Sequence, residues 1–307
     1  MTHVFVSPHP DDVALSCGGL VSQLTGRDES IVIVTVFCGA GSSPSLTEYQ
    51  RDALGFGAGP SPGADRAPAV ATTAAVTDAT AVADAAAVAA NGAAPSPRAA
   101  MAERRREDER YADSVGARIV FLNLPDAVFR GYEGDDPLFG RPRADDPAPI
   151  DALARELARL QPGHVYFPLA VGNHVDHQLV REAGVALLGG PHDKASGAVG
   201  VGPGLLGRLL FYEDFPYAQR IGFERLDQLP GDALAAMPHD VSLAPEYADL
   251  DDLIERKIAG IRVYSSQVDG LFGSDAAMVE AVKSRATRVG QLGGMGPAER
   301  YWRAISS

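Results

Sequence analysis

The stretch "SIVIVTVF", residues 30–37, constrains this chain more than any other. It leaves no polar face for solvent, so a strand formed by it must be covered on both sides. That is the situation of an inner strand in a parallel sheet. Its surroundings agree. "HVFVS" (residues 3–7) precedes it as a short buried strand, and a helical pattern with Leu15, Leu20, Val21 and Leu24 lies between them. Strand, helix, strand in that order opens a parallel α/β sheet. "ARIVFL" (117–122), "HVYFPL" (164–169) and "RLLFYED" (208–214) repeat the strand signal. Helical patterns cover 101–115 and 151–160, and a late one covers 250–264. The predicted fold class is α/β: a Rossmann-like, mostly parallel sheet with helices on both faces, in a single domain spanning 1–307.

One segment breaks the alternation. From about 57 to 99 the chain is almost entirely Ala, Gly, Pro, Thr, Val and Asp, with no large aliphatic side chain to bury. Fixing each backbone residue costs about 1–2 kcal/mol, and such a composition has little apolar surface with which to offset it. The segment reads as an insertion hung on a complete domain, with a surface loop favoured over a lid. "KASGAVGVGPG" (194–204) reads as a second loop.

Net charge is −13 at pH 7. Such a chain repels polyphosphates, which argues against nucleic acid and anionic membranes as partners. The dense basic cluster, Arg104 to Arg106, is followed at once by Glu107, Asp108 and Glu109, as on a solvated helix face. Cys17 and Cys38 are the two cysteines, too few for a disulfide framework. No leader-like segment precedes the first strand, and no apolar run approaches the roughly 20 residues of a membrane span. The expected location is the cytoplasm; composition leaves the oligomeric state open.

Ligands of open parallel sheets bind beyond the carboxyl ends of the strands. Two predicted strands end there in histidine–carboxylate clusters: "PHPDD" with His9, Asp11 and Asp12, and "GNHVDH" with His174, Asp176 and His177. Each cluster alone has a plainer explanation, since Asp11 or Asp12 could cap the first helix and Asn173 a later one. Together they offer two imidazoles and a carboxylate for a metal, with a second carboxylate to spare. That set suits a catalytic zinc with an open position and a general base beside it.

The paired motifs resemble those of the PIG-L/LmbE family of zinc-dependent N-acetylglucosamine deacetylases, usually written (P/A)HPDDE and HPDH. "GGL" (18–20), "RRRED" with "VGA" (115–117), "DAVFRG" (126–131) and "KIAGIRVYSSQV" (257–268) extend the similarity over most of the chain outside the Ala-rich insertion. The resemblance implies an LmbE-like fold and metal-dependent hydrolysis of an N-acetyl group on an N-acetylglucosamine-type sugar or glycoconjugate, releasing acetate. The alternative is an amidase acting on another acyl-amide, such as a lipid- or antibiotic-linked group. The resemblance also implies Zn²⁺ bound by His9, Asp12 and His177, a donor set that would accept Fe²⁺ as well. Asp11 matches the general base, His174 the histidine that polarises the carbonyl, and Asp176 the carboxylate that orients and charges His174. Arg104 and Asp126 match positions near the sugar cleft, with Arg130 and Gln267 as looser matches. For Arg104 the competing reading is a surface ion pair with Glu107 or Asp108; Tyr264 reads as core.

Three positions depart from the family pattern. Val13 stands where glutamate often follows the two aspartates, and Val175 replaces the proline of the second motif. Gly172 stands where some relatives carry a tyrosine that closes over substrate, so no tyrosine is expected from that loop. The implied partner is a small-molecule glycan, with neither nucleic acid nor a membrane span.

Overall fold

The computed structural model describes residues 1–56, 95–188, 205–217 and 237–307. Five parallel strands form most of one sheet: β1 (Thr2–Ser7), β2 (Ser30–Thr35), β3 (Arg118–Phe121), β4 (His164–Pro168) and β5 (Leu209–Tyr212). Two antiparallel strands, β6 (Val241–Asp249) and β7 (Ala298–Ser306), complete it in the order β3-β2-β1-β4-β5-β7-β6. The chain therefore leaves β1 toward β2 and β3, then returns to build β4 and β5 on the other side. β1 and β4 flank the point where strand order reverses, and a crevice opens there between diverging connections.

Helices α1 (Asp12–Thr25), α2 (Glu48–Ala53), α3 (Pro97–Ser114), α4 (Asp135–Leu138), α5 (Ile150–Leu160), α6 (Val175–Leu188), α7 (Ile254–Arg262), α8 (Ser265–Phe272) and α9 (Asp275–Leu292) follow in chain order. Alternation along the strands divides the core. Val4, Val6, Val32 and Val34 pack with Leu153 and Leu157 of α5 and Leu179 and Ala183 of α6. Phe5, Ile31 and Ile33 face the other way, onto α1, α3, α7 and α9 through Leu15, Tyr111, Ile258 and Val282. Helices cover both faces, as the apolar strands require.

Several predicted boundaries move. The Ala-rich insertion was expected to reach 99, but α3 already begins at Pro97: Ser96 caps it by accepting from Ala99 N at 3.2 Å, and Ala99 is buried. Residues 57–94 lie outside the described residues, as does the predicted loop 194–204. The late helix expected over 250–264 is the shorter α7, Ile254–Arg262, and a further helix, α8, starts after Val263 and Tyr264. Strands β6 and β7 and helix α9 carried too little periodic signal; β6 contains Pro245, which an edge strand tolerates.

Helix α1 is anchored from below. The Glu299 carboxylate accepts from Gly19 N at 2.9 Å and Leu20 N at 2.8 Å, and is paired with Lys257 Nζ at 2.7 Å. A Cβ on Gly19 would lie 2.0 Å from Leu250 Cδ2 and 3.0 Å from Glu299 Oε1, so any larger residue here would push Leu250 aside and crowd that carboxylate.

Candidate active site

The chain leaves β1 at Ser7, whose Oγ donates to His9 O at 2.7 Å and closes the turn. Asp11 then adopts φ 117°, a conformation that costs a non-glycine residue about 1–3 kcal/mol and persists where surrounding contacts impose it. It stands at the N-cap position of α1 but makes no capping hydrogen bond with its side chain. Helix capping therefore does not account for it. Asp12 opens the helix, and its Oδ2 accepts from His9 N at 2.8 Å.

From β4 the chain reaches α6, which brings His174 and His177 opposite. Asp12 Oδ2 lies 3.2 Å from His9 Nδ1 and 3.3 Å from His177 Nε2. The outer nitrogens of both rings end on carboxylates: His9 Nε2 on Asp176 Oδ2 at 2.9 Å, His177 Nδ1 on Asp214 Oδ1 at 2.6 Å. This carboxylate–histidine arrangement fixes each ring and raises the basicity of its inner nitrogen. His177 Nε2 is buried and makes no hydrogen bond; with Nδ1 turned to Asp214, the neutral ring presents Nε2 as a lone pair that a cation could take. The donor set therefore fits a divalent metal. A ligand atom of His174 also lies within 4.8 Å of His9 and His177, as do atoms of Asp126 and Asp176 around His9. The latter group uses His9 Nε2, already committed to Asp176.

Burial acts against every charge here, and the partners decide the outcome. Burial opposes ionisation of Asp12, but His177 and His9 outweigh it and hold its pKa near 2. Burial likewise opposes protonation of His9 and His177, and the surrounding aspartates push both upward. His174 goes the other way: burial and the charge of His9 lower it well below the usual imidazole value, so the ring is neutral. Burial lifts Asp11 to about 8, with Arg104 opposing the rise and Asp12 adding to it.

Asp176 does not orient His174 through a carboxylate hydrogen bond, as the sequence suggested, although its charge does oppose the fall in the His174 pKa. Its carboxylate spans His9 Nε2, Ala127 N at 3.0 Å and the guanidinium of Arg130. Positions 174 and 176 straddle the start of α6, so their side chains diverge; it is the backbone N–H of Asp176 that donates to His174 Nδ1, at 3.2 Å. Arg130 is likewise displaced from its expected place. It is bound by Asp146, Asp176 and Pro125 O and stacks 4.5 Å over Phe37, away from the residues lining the cleft.

A cleft of about 230 Å³ opens onto His9, Asp11 and His174. Arg104 lines it, 5 % exposed, donating to Pro10 O at 3.0 Å and Asp11 Oδ2 at 3.3 Å; the surface ion pair with Glu107 or Asp108 is not formed. Asp126 caps a short 3-10 turn through Val128 N and lies 3.7 Å from His9 Nε2. Gln267 reaches the cleft from α8. Helix α3 is tied to that wall behind Arg104: Asp108 accepts from Thr35 and Tyr264, each at 2.6 Å, so Tyr264 is a buried strut.

Sequence reasoning missed Asp214 and Tyr217. Asp214 ends "RLLFYED" on the same sheet edge as the two motifs, and its position there was the available signal. Tyr217 packs its ring 4.9 Å from His177 and 5.5 Å from His174. A Cβ on Gly172, which sits at φ +98°, would lie 2.6 Å from Tyr217 Cβ. The missing side chain at 172 is thus the space that admits a tyrosine from another loop. Val13 and Val175 are fully buried among apolar side chains.

Residues 4–188 match the family model described as GlcNAc-PI de-N-acetylase. The chain belongs to the PIG-L family. A 2'-N-acetylparomamine deacetylase of Streptomyces fradiae is 31% identical over 270 residues, covering 87% of this chain and 73% of that protein. A second 2'-N-acetylparomamine deacetylase, from Niallia circulans, is 24% identical, covering 97% of this chain and 89% of its own. The crystal structure of the zinc-inhibited form of teicoplanin deacetylase superposes with a TM-score of 0.65 at 20% identity, over 100% of this chain and 99% of that one, a likeness of fold. This PIG-L protein is a hydrolase of N-acetyl groups on amino sugars, and no helix among its described residues is long and apolar enough to cross a membrane.

Proposed function

We propose that this PIG-L enzyme is a zinc-dependent deacetylase acting on small N-acetylated amino glycosides of the kind named for its paromamine-acting relatives. The observation that carries the metal is the buried, unpartnered Nε2 of His177 facing Asp12 Oδ2, with His9 Nδ1 on the other side. His9, Asp12 and His177 would hold the ion. When bound, it supplies Lewis acidity at the acetamide and makes water easier to deprotonate.

Asp11 accepts the proton of the attacking water. Its neighbour Arg104 holds the carboxylate at the cleft and favours the ionised form against the burial that lifts it to about 8, and a cation held by His9, Asp12 and His177 would favour that form further. His174 accepts a backbone N–H at Nδ1, so the neutral ring carries its own proton on Nε2. That makes it a donor to the acetamide oxygen as negative charge develops there. As the C–N bond breaks, Asp11 returns its proton to the leaving amine, and acetate and a free amine result. Asp176 and Asp214 orient His9 and His177, and Arg130 holds Asp176 in turn. The two free, buried thiols, Cys17 and Cys38, fit a cytoplasmic enzyme.

The test is acetate release from N-acetylated amino glycosides by protein stripped of metal and reloaded with zinc or Fe(II). Restoration by zinc at one equivalent supports the reading. Faster release of long acyl chains than of acetate would replace it with the amidase alternative, and full activity after stripping would remove the metal.

A further inference from the structure

The catalytic end of the cleft has its charges matched: Asp11 lies against Arg104, and Asp126 is shared between His9 and Arg104. Farther out the balance fails. Among the described residues lining the cleft there are four aspartates, and Arg104 is the one arginine or lysine. Asp52, on the last turn of α2, is exposed at this wall and forms no ion pair among the described residues. Beside it the chain turns through Leu54 and Gly55 against α8, where Gln267 is 5 % exposed. Both hydrogen bonds of Gln267 leave from its amide nitrogen, to Leu54 O at 2.9 Å and Ser266 Oγ at 2.7 Å. Its Oε1 is therefore a held acceptor without a donor among the described residues, at the same cleft as Asp52.

We propose that Asp52 and Gln267 Oε1 form a subsite for an ammonium group of the substrate, so that the enzyme selects amino glycosides that keep free, protonated amines beside the N-acetyl group it removes. The inference rests on the deacetylase reading above and specifies its substrate. A carboxylate and an amide oxygen are what an ammonium needs, one for charge and both as acceptors. A neutral sugar hydroxyl could donate to either acceptor but brings no positive charge to Asp52. The net charge of −13 attracts polycations to the protein and makes their capture dependent on ionic strength.

The experiment compares kcat/KM for a mono-N-acetylated aminocyclitol glycoside with free amines against an uncharged N-acetylglucosamine disaccharide, at low and at high salt. The wild-type enzyme is expected to prefer the charged substrate, with a preference that shrinks as salt rises. Asp52→Asn is expected to lower the charged-to-neutral ratio about fivefold, the upper range for one exposed charge pair, and Asp52→Glu to recover most of it. Position 52 is exposed, so unchanged melting of both variants is the folding control. Acetate from neither substrate overturns the deacetylase reading. Acetate from both, with a ratio that Asp52→Asn leaves unmoved or with a wild-type preference for the neutral sugar, overturns the ammonium subsite and leaves deacetylation standing.

Discussion

At the N-terminal ends of β1 and β4, His3 and His164 are register partners with stacked rings whose centroids lie 5.2 Å apart. Beyond the C-terminal ends of the same strands, His9 and His177 lie at the same 5.2 Å. Around the lower pair, Glu29 at 4.0 Å from His3 Nε2 and the more distant Glu246 are offset by the cationic Arg303, Arg208 and chain terminus. The upper pair is enclosed by Asp12, Asp126, Asp176 and Asp214. The consequence is opposite charge chemistry. Burial, with His164 adding to it, lowers His3 to about 4, whereas the aspartates raise His9 and His177 against their burial. Two imidazoles at contact distance are thus not a metal site; the carboxylates that orient and charge them make one.

The largest expected effect separates the metal from the chemistry at the upper end. Asp11→Asn keeps His9, Asp12 and His177 and removes the base, so kcat should fall by about 10²–10⁴, the usual contribution of a positioned general base. Metal content by elemental analysis should be unchanged. A variant with near-wild-type kcat would take Asp11 out of that role.

Next comes the comparison itself. His177→Ala should lose stoichiometric metal, while His164→Ala at the lower pair should retain it. Retention by both variants would sink the ligand assignment, and loss by both would mean that sheet integrity, not coordination, was being measured. A milder break acts through orientation: Asp214→Asn should weaken metal affinity by about 10–100-fold, measured by competition with a chelator, because His177 keeps its place but loses the partner of its outer nitrogen.

The two ends also differ in how far the sequence disclosed them. The upper cluster was legible because its residues fall in two short motifs, each directly after an apolar strand, and strand ends in a parallel sheet share one edge. Asp214 obeys the same rule but stands alone, without a second polar residue type to mark it as chemistry. Arg104 looked like surface because its neighbours in sequence are charged; only the packing of α3 onto α1 and the sheet turns it inward. Asp176 was placed in the right region with the wrong hydrogen-bond partner, since a two-residue spacing at a helix start does not determine which ring a carboxylate meets, and Arg130, expected near the sugar cleft, packs behind it on Asp176. Tyr217 could not be read at all. Its role depends on the space left by Gly172, a contact between segments 45 residues apart. The parallel half of the sheet was legible through unbroken apolar runs, while β6 and β7, one with an internal proline, sit near the edge where alternation is weaker.

The smallest effect tests the lower pair by acid. For His3 the folded-state pKa, about 4, lies below the ordinary value of 6.5. The unfolded chain therefore binds the proton first, and stability is lost as pH falls from 6.5 toward 4. Asp12, held near 2, contributes stability that is lost only below its ordinary 3.8, outside the His3 window. Buried Asp108 and Asp11, raised to about 7 and about 8, slope the other way across the same range, since the folded state keeps their protons longer. The informative quantity is therefore a difference: the melting temperature of wild type minus that of His3→Gln, followed from pH 7 to pH 4 in metal-free protein. Glutamine can keep the hydrogen bond that His3 Nδ1 makes with Tyr166 OH at 3.0 Å but has no proton to gain. The difference should shift against wild type as pH drops through 6.5 and level off near 4. A flat difference would show that His3 titrates alike in both states, and that the two histidine pairs are less distinct than their surroundings make them.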